Sequence, residues 1–261
     1  MVEFDERVTL VEHLDELRRR IIHAAIALAV GVVAAAVLNR FVFAILLHPL
    51  HTVPNAPHQI ITFSPAEPFM VSLKVWAYVG VIMASPVIIY EIWAFVGPAF
   101  TPTSRRTVLL VAGTCAVLFF GGVALGYFVV IPKALQWLYG FNSQYFNTQA
   151  RATDYFSFVA WFLVAFGAVF EMPVAILAAI RIGVVRTKTL RKHWRYAIVI
   201  NAIIAMVATP SQDAFSFFAM FIPLEILYEL SLLIGRVVEK RREIATAETA
   251  DDDQGPTTAP A

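Results

Sequence analysis

A glutamate in the middle of a long apolar stretch is the residue best placed to do chemistry in this sequence. Glu171 lies within the apolar run 156–180, which is long enough to cross the roughly 30 Å hydrocarbon core of a bilayer as a helix. A carboxyl group at that depth costs on the order of 3 kcal/mol, so it is kept only where it faces protein or water. Pro173 removes a backbone donor and predicts a kink. Glu171 and Pro173 therefore predict an intramembrane polar site; the alternative is a protonated glutamate that only packs helices together.

The composition indicates what kind of protein must position this acid. Hydrophobic residues make up 59% of the 261 residues and charged residues only 15%, and the mean hydropathy is +0.71. These values are typical of a polytopic membrane protein and not of a soluble domain. The net charge of +1 gives no sign of nucleic-acid binding. The single cysteine, Cys115, excludes an intrachain disulfide and a cysteine-rich metal site.

Apolar runs bounded by turn residues or charges predict six membrane-spanning helices, and so an all-α membrane protein. The predicted spans cover residues 21–38, 69–96, 108–131, 156–180, 196–208 and 215–235. The fifth run is short for a bilayer at about 1.5 Å per residue. We therefore expect a thinned bilayer or a water-filled recess beside it.

The distribution of Lys and Arg predicts how the chain is oriented. Most of the 20 basic residues lie before span one, between spans two and three, between spans four and five, and after span six. Segments rich in Lys and Arg remain on the cytoplasmic side of a membrane. Both termini are therefore expected to be cytoplasmic.

Polar segments flank the predicted transmembrane domain of residues 21–240. Residues 1–20 carry apolar side chains at helical spacing and predict a cytoplasmic amphipathic helix. Residues 241–261 are charged at first and then rich in Thr, Pro and Ala, which predicts a disordered cytoplasmic tail.

The sequence lacks the usual signals of catalytic and cofactor sites. It contains no glycine-rich phosphate loop, HExxH, GxSxG or paired CxxC. His48 and His51 stand three apart, but Pro49 separates them and no acid or cysteine is near, so surface histidines are favoured over a metal site. We expect a protein that is not an enzyme and that uses neither a metal nor a cofactor.

Several short motifs, taken in order, resemble the TatC family, the polytopic receptor subunit of the twin-arginine protein translocase. The motifs are HLDELRRR (13–20), PAEPF (65–69), SPVIIYEIWAF (85–95), YFVV (127–130), FEMPV (170–174), LRK (190–192) and Thr209-Pro210 with Asp213. The resemblance covers about residues 8–240. It implies six helices arranged as a concave bowl in the cytoplasmic membrane.

The resemblance also implies a function, partners and site residues. TatC-like proteins recognise the paired arginines of a signal peptide and work with single-span TatA-like and TatB-like subunits, in complexes with several copies. Folded substrates then cross the membrane, driven by the proton-motive force. The residues matched to signal-peptide binding are Glu16, Arg18, Arg20 and Phe95. Those matched to the bowl and its outer rim are Pro49, Glu171 and Asp213.

One position departs from the family pattern. The family commonly has a glutamate before the paired arginines of the first cytoplasmic loop, whereas Ser104 precedes Arg105 here. A serine offers a guanidinium group a hydroxyl in place of a charge-assisted bidentate bond. One hypothesis is that Glu16 carries most of the recognition, and its candidate helpers are Asp15, Glu12 and Glu91. The other is that Ser104 simply weakens one contact of a site that includes Arg105.

Glu171 supports two functional hypotheses. In the favoured one, the apolar segment of the signal peptide lies along the bowl. Glu171 then provides a polar contact for a partner helix or thins the bilayer locally. The alternative is a proton-coupled secondary solute transporter with Glu171 as its proton site. Solute uptake by the protein alone would distinguish the two.

Overall fold

The computed structural model describes residues 10–54, 56–57, 59–100, 105–145, 148–209 and 213–252, and nearly all of them are helical. The α-helices are α1 (Leu10–Val37), α2 (Asn39–His51), α3 (Glu67–Phe100), α4 (Arg105–Leu125), α5 (Ile131–Gly140), α6 (Ala152–Val169), α7 (Met172–Ile182), α8 (Thr187–Lys192), α9 (Trp194–Ala208) and α10 (Ala214–Asp252). A π-helical segment (Gly126–Val130) joins α4 to α5, and strands β1 (Ile60–Ile61) and β2 (Ala150–Arg151) form a parallel pair.

Five helical stretches in this part of the chain are long and apolar enough to cross a membrane. They are His13–Val37, Glu67–Val96, Arg106–Gly140, Ala152–Ile182 and Ala214–Lys240. The apolar helix α9 has only 15 residues, which gives a length of about 22 Å, less than a typical hydrocarbon core. The shortness predicted for the fifth run is therefore confirmed. Its crossing of the membrane and the orientation of the chain stay predictions.

The helices α1 and α3 pack side by side in opposite directions. His13 near the start of α1 stacks on Phe95 near the end of α3, and Gly31 meets Gly80 further along the pair. A Cβ atom on Gly31 would lie 2.5 Å from the carbonyl oxygen of Gly80. Glycine thus lets the two backbones approach closely, and this contact fixes which side chains of α1 face α3.

Two prolines mark helix junctions: Pro173 lies inside the predicted fourth span, and Pro132 directly follows the predicted third span. The fourth span is divided, because α6 ends at Val169 and α7 begins at Met172. The kink predicted from Pro173 is confirmed: Pro173 lies in the first turn of α7, where its missing N–H breaks no helical bond. The third span continues to Gly140 and does not end at 131 as predicted, because Pro132 likewise occupies the first turn of α5.

The helix α6 forms the centre of the core. Its Val159, Phe162 and Phe166 are fully buried, and it packs against both α3 and α4. A Cβ atom on Gly122 of α4 would lie 2.7 Å from the carbonyl oxygen of Phe166. This close approach fixes the end of α6 and so positions the following Glu171.

The connecting segments at the start of α3 and α6 are joined around Glu67. This buried carboxylate accepts hydrogen bonds from the backbone N–H of Phe63 at 2.8 Å, from Arg151 Nε at 2.9 Å and from Thr153 Oγ1 at 2.7 Å. The parallel pair of β1 and β2 holds the same two connections side by side. Glu67 therefore has a structural role, which is to hold the connection before α3 to the connection before α6.

Two predicted domain boundaries fall inside helices. The boundary at residue 20 lies within α1, which is continuous because its first glycine is Gly31 and it contains no proline. The predicted disorder from residue 241 is corrected as far as Asp252, because α10 continues to that residue. The Ala, Glu and Arg side chains of 241–252 are good helix formers. Residues 1–9 and 253–261 lie outside the described part of the chain.

Candidate functional site

Two carboxylates from different helices meet at one end of the α1–α3 pair. Glu16 lies on α1 and Glu91 on α3, and the guanidinium of Arg20 bridges them. Arg20 Nε donates to Glu16 Oε1 at 3.0 Å, and Arg20 Nη1 donates to Glu91 Oε2 at 3.0 Å. His23 Nδ1 lies 3.2 Å from Glu91 Oε1. We call Glu16, Arg20, His23 and Glu91 the Arg20 cluster.

Helical spacing explains why α1 supplies three members of the Arg20 cluster. Glu16, Arg20 and His23 stand four and then three positions apart, which places their side chains on one face of a helix. Because α1 and α3 run in opposite directions, this face meets the last turns of α3, where Glu91 lies. The site therefore depends on the close packing of Gly31 against Gly80.

The Arg20 cluster lines an open recess of about 520 Å³, together with Arg19 and Tyr90. The Glu91 side chain is 12% exposed and the Glu16 side chain 39% exposed. With His23 counted as neutral, the cluster sets two carboxylates against one guanidinium. Arg19 makes no ion pair within the described residues. Because Arg19 also lines the recess, its two carboxylates are balanced by two guanidinium groups, and what the recess offers a cationic group is carboxylate hydrogen-bond acceptors.

The other residues predicted for signal-peptide binding have different positions. Phe95 stacks on His13, with ring centroids 4.5 Å apart and an angle of 17° between the rings. Since His13 is one turn from Glu16, Phe95 borders the Arg20 cluster. Arg18 is exposed on α1 and contributes nothing to the cluster. Ser104 lies outside the described residues, as does the side chain of Arg105, although the backbone of Arg105 begins α4.

Sequence reasoning missed two members of this recess, His23 and Tyr90. His23 has a detectable signal, because it follows Glu16 by seven positions on the same helical face. Tyr90 has no such signal. The sequence offers Glu91 only as one of three candidate helpers, because its contact with Arg20 joins positions 71 residues apart.

Glu171 lies at the junction of α6 and α7, as the kink prediction required. Its backbone carbonyl accepts hydrogen bonds from the N–H groups of Val174 and Ala175, both at 3.1 Å. Its side-chain Oε1 is buried without a hydrogen-bond partner in the described structure. The thiol of Cys115 on α4 lies beside this carboxyl. The junction is therefore a polar point inside an apolar bundle, and a further donor would complete it.

The two residues predicted to shape the rim both have structural contacts. Pro49 is buried within α2, and its carbonyl accepts a hydrogen bond from Thr52 Oγ1 at 2.8 Å. Asp213 precedes α10, and its Oδ1 accepts a hydrogen bond from the backbone N–H of Ser216 at 2.7 Å. An aspartate in this position stabilises the start of a helix.

Comparison with known proteins connects this geometry to a family. The family model for "Sec-independent protein translocase protein (TatC)" matches residues 12–223. The chain is 36% identical to the TatC protein of Desulforapulum autotrophicum over 248 residues, which covers 95% of this chain and 92% of the relative. It is 37% identical to the TatC protein of Aquifex aeolicus over 242 residues, which covers 91% of this chain and 99% of the relative.

Solved structures give the same result for the fold. The crystal structure of the twin-arginine translocase receptor TatC matches with a TM-score of 0.78 at 36% identity, over 87% of this chain and 99% of that one. A second crystal structure of this receptor, in DDM, matches with a TM-score of 0.77 at 35% identity, over 86% of this chain and 99% of that one. The predicted all-α membrane fold and the predicted resemblance are confirmed. The chain therefore belongs to the TatC family of Sec-independent protein translocase proteins.

Proposed function

We propose that this multi-pass membrane component of the Sec-independent translocation system binds twin-arginine signal peptides at the Arg20 cluster. The observation that carries the proposal is the convergence of Glu16 and Glu91 in an open recess. Two guanidinium groups require carboxylate acceptors, because charge-assisted bidentate bonds are the strongest that arginine forms. In this proposal Phe95 packs against the ligand beside the carboxylates, and Arg18 remains at the margin of the site.

The proposed orientation puts the recess on the cytoplasmic side of the cell membrane, where signal peptides are presented. It rests on the basic segments that flank alternate spans, since Lys and Arg are enriched in cytoplasmic loops. With this orientation both termini are cytoplasmic. On the strength of the family resemblance, we also include Ser104 and Arg105 in the proposed binding site.

The second part of the proposal concerns Glu171, inside the membrane. The buried Oε1 of Glu171 and the short helix α9 support a site where a partner helix donates to the carboxyl or where the bilayer is thinned. The proposed partners are single-span TatA-like and TatB-like subunits and further copies of this chain. Together they move folded proteins across the membrane with energy from the proton-motive force.

Photocrosslinking tests the proposal directly. A photoreactive residue beside the arginine pair of a signal peptide is expected to crosslink to the Glu16 and Ser104 region of this protein in membranes. The crosslink should disappear in Glu16→Ala and strengthen in Ser104→Glu. An absence of crosslinks with the unaltered protein would contradict the proposed binding site.

The alternative function, a proton-coupled solute transporter, has less support. Family membership makes the chain part of a protein translocase, and Glu171 has a role in that context as well. Solute uptake by the purified protein alone in vesicles is expected to be nil. Uptake that is lost in Glu171→Gln would instead favour the transporter.

A further inference from the structure

We infer that Glu91 supplies the second carboxylate of the arginine-binding site and that Arg20 occupies the Glu16–Glu91 pair as a resident guanidinium, which one arginine of the signal peptide displaces. The inference rests on the proposed function, because its ligand is the arginine pair proposed above. It assigns a specificity-determining contact to a helix, α3, and not to the loop that contains Ser104.

The first step is that the acceptor geometry is already built for a guanidinium. Arg20 spans the two carboxylates with Nε toward Glu16 and Nη1 toward Glu91, each at 3.0 Å. These distances are those of charge-assisted hydrogen bonds between arginine and carboxylate. A ligand arginine presents the same planar fork of donors, so it fits the same pair of acceptors.

The second step is that Arg20 can leave. Its side chain is 23% exposed and lines the open recess, so rotation about its flexible stem carries the guanidinium into water. Both of its hydrogen bonds to Glu16 end on Oε1, so Oε2 keeps acceptor capacity. Because one guanidinium replaces another, the exchange changes the number of ion pairs little.

The third step is that the described structure offers no comparable acid at this surface. Asp15, which is next to Glu16 in sequence, is exposed and makes no ion pair within the described residues. The loop position that precedes Arg105 carries Ser104, which has no charge. The side chain of Glu12 lies outside the described part of the chain. Among the described side chains, Glu91 is therefore the second carboxylate within reach of a guanidinium already bound to Glu16.

Peptide binding to the purified full-length protein in detergent tests this inference. The probe is a fluorescent twin-arginine signal peptide, compared with the same peptide in which both arginines are lysine. Lysine keeps the charge but loses the fork of donors. The variants are Glu91→Gln and Arg20→Gln, and Asp15→Asn is the matched control for loss of one negative charge at this surface.

The unaltered protein should prefer the arginine peptide, and Glu91→Gln should weaken its binding by about tenfold or more, the range for losing a hydrogen bond to a charged group. Arg20→Gln should strengthen binding by about threefold because the competing guanidinium is gone. Asp15→Asn should change affinity less than twofold. In the Arg20→Gln background, Glu91→Gln should still weaken binding, which shows that Glu91 acts on the ligand and not by orienting Arg20.

The outcomes separate the inference from the proposed function. If the unaltered protein binds both peptides equally, the proposed arginine recognition fails. If it prefers the arginine peptide and Glu91→Gln binds that peptide as well as the unaltered protein does, only the role of Glu91 is overturned. Weaker binding in Arg20→Gln would overturn the displacement of Arg20. A monodisperse size-exclusion profile for each variant excludes misfolding as the cause.

Discussion

Glu67 and Glu91 are two carboxylates at opposite ends of the same helix, α3, about 36 Å apart along an ideal helix. Glu67 is buried and accepts hydrogen bonds from Phe63, Arg151 and Thr153, which belong to the connections at the start of α3 and α6. Glu91 bonds only to Arg20 and His23 within the described residues, and it lines an open recess.

The comparison separates a structural acid from a binding acid by the kind of partner each one has. The donors to Glu67 include a backbone N–H and a short threonine side chain, which cannot move away without local unfolding. The main donor to Glu91 is a long arginine side chain with access to water. Glu67 also pairs with an exposed arginine, Arg151, so the guanidinium partner alone does not distinguish the two acids. The difference is that Glu67 has backbone and threonine donors as well, whereas both partners of Glu91 are longer side chains that line the recess.

The largest effect is expected from Glu67→Ala. Loss of the carboxylate leaves Arg151 and Thr153 without their hydrogen-bond acceptor, so the start of α3 is no longer held to the start of α6. The amount of folded protein should therefore fall severely. Thr153→Val removes only part of this network and should lower the melting midpoint by a few degrees. Fluorescence-detected size exclusion after heating measures both. An unchanged melting midpoint in Glu67→Ala would show that Glu67 does not hold these two connections together.

The next effect concerns the packing that brings Glu16 to Glu91. A Cβ atom at Gly31 would lie 2.5 Å from Gly80 O, so Gly31→Ala should force α1 away from α3 and cost about 1–3 kcal/mol. Signal-peptide affinity should fall as well, because Glu16 and Glu91 would move apart. Gly113→Ala is the matched control, because nothing lies within 4 Å of a Cβ atom there. Equal stability and affinity in the two variants would contradict the dependence of the site on this contact.

A smaller effect is expected from Phe95→Leu. The substitution keeps an apolar side chain but removes the stacking on His13, and an aromatic pair contributes about 0.5–1.5 kcal/mol beyond burial. Peptide affinity should therefore fall by about two- to tenfold while melting changes little. If the melting midpoint falls and the peptide affinity does not, Phe95 has a structural role, as Glu67 does.

Ionic strength should give the smallest effect and sharpen the same comparison. Raising salt from 0.1 to 1 M shortens the Debye length from about 10 to 3 Å, so arginine-peptide affinity should fall by about threefold at the exposed recess. The melting difference between Glu67→Ala and the unaltered protein should change less, because the Glu67 carboxylate is buried and two of its three donor residues, Phe63 and Thr153, are uncharged. Salt-independent peptide binding would contradict ionic recognition.

The sequence predicts local features of this fold well. Long apolar runs locate the spans, the short run at 196–208 corresponds to α9, and Pro173 gives the break before α7. Each of these follows from hydrophobic length or from the geometry of one residue. Helix ends are harder to predict, because the charged residues after 240 are equally compatible with a disordered tail and with a continued helix, and α10 continues to Asp252.

The site could be predicted only in part. Glu16 and Arg20 follow from helical spacing, and His23 has the same signal. The pairing of Arg20 with Glu91 depends on the register of α1 against α3, which is set by Gly31 and Gly80. Helical periodicity within one segment cannot show such a register, so Glu91 could be suspected from its charge but not placed.

The most direct measurement compares Glu91→Gln with Glu67→Gln, recording both the melting midpoint and the crosslink of a signal-peptide arginine probe. Glu91→Gln is expected to lower the free energy of unfolding by no more than about 1 kcal/mol, as for a partly exposed ion pair, so its melting midpoint should change little while most of the crosslink is lost. Glu67→Gln should show the reverse, with lower melting and a normal crosslink from the folded fraction. If Glu91→Gln is destabilised and its folded fraction crosslinks normally, Glu91 is a structural acid and the arginine-binding site lies elsewhere.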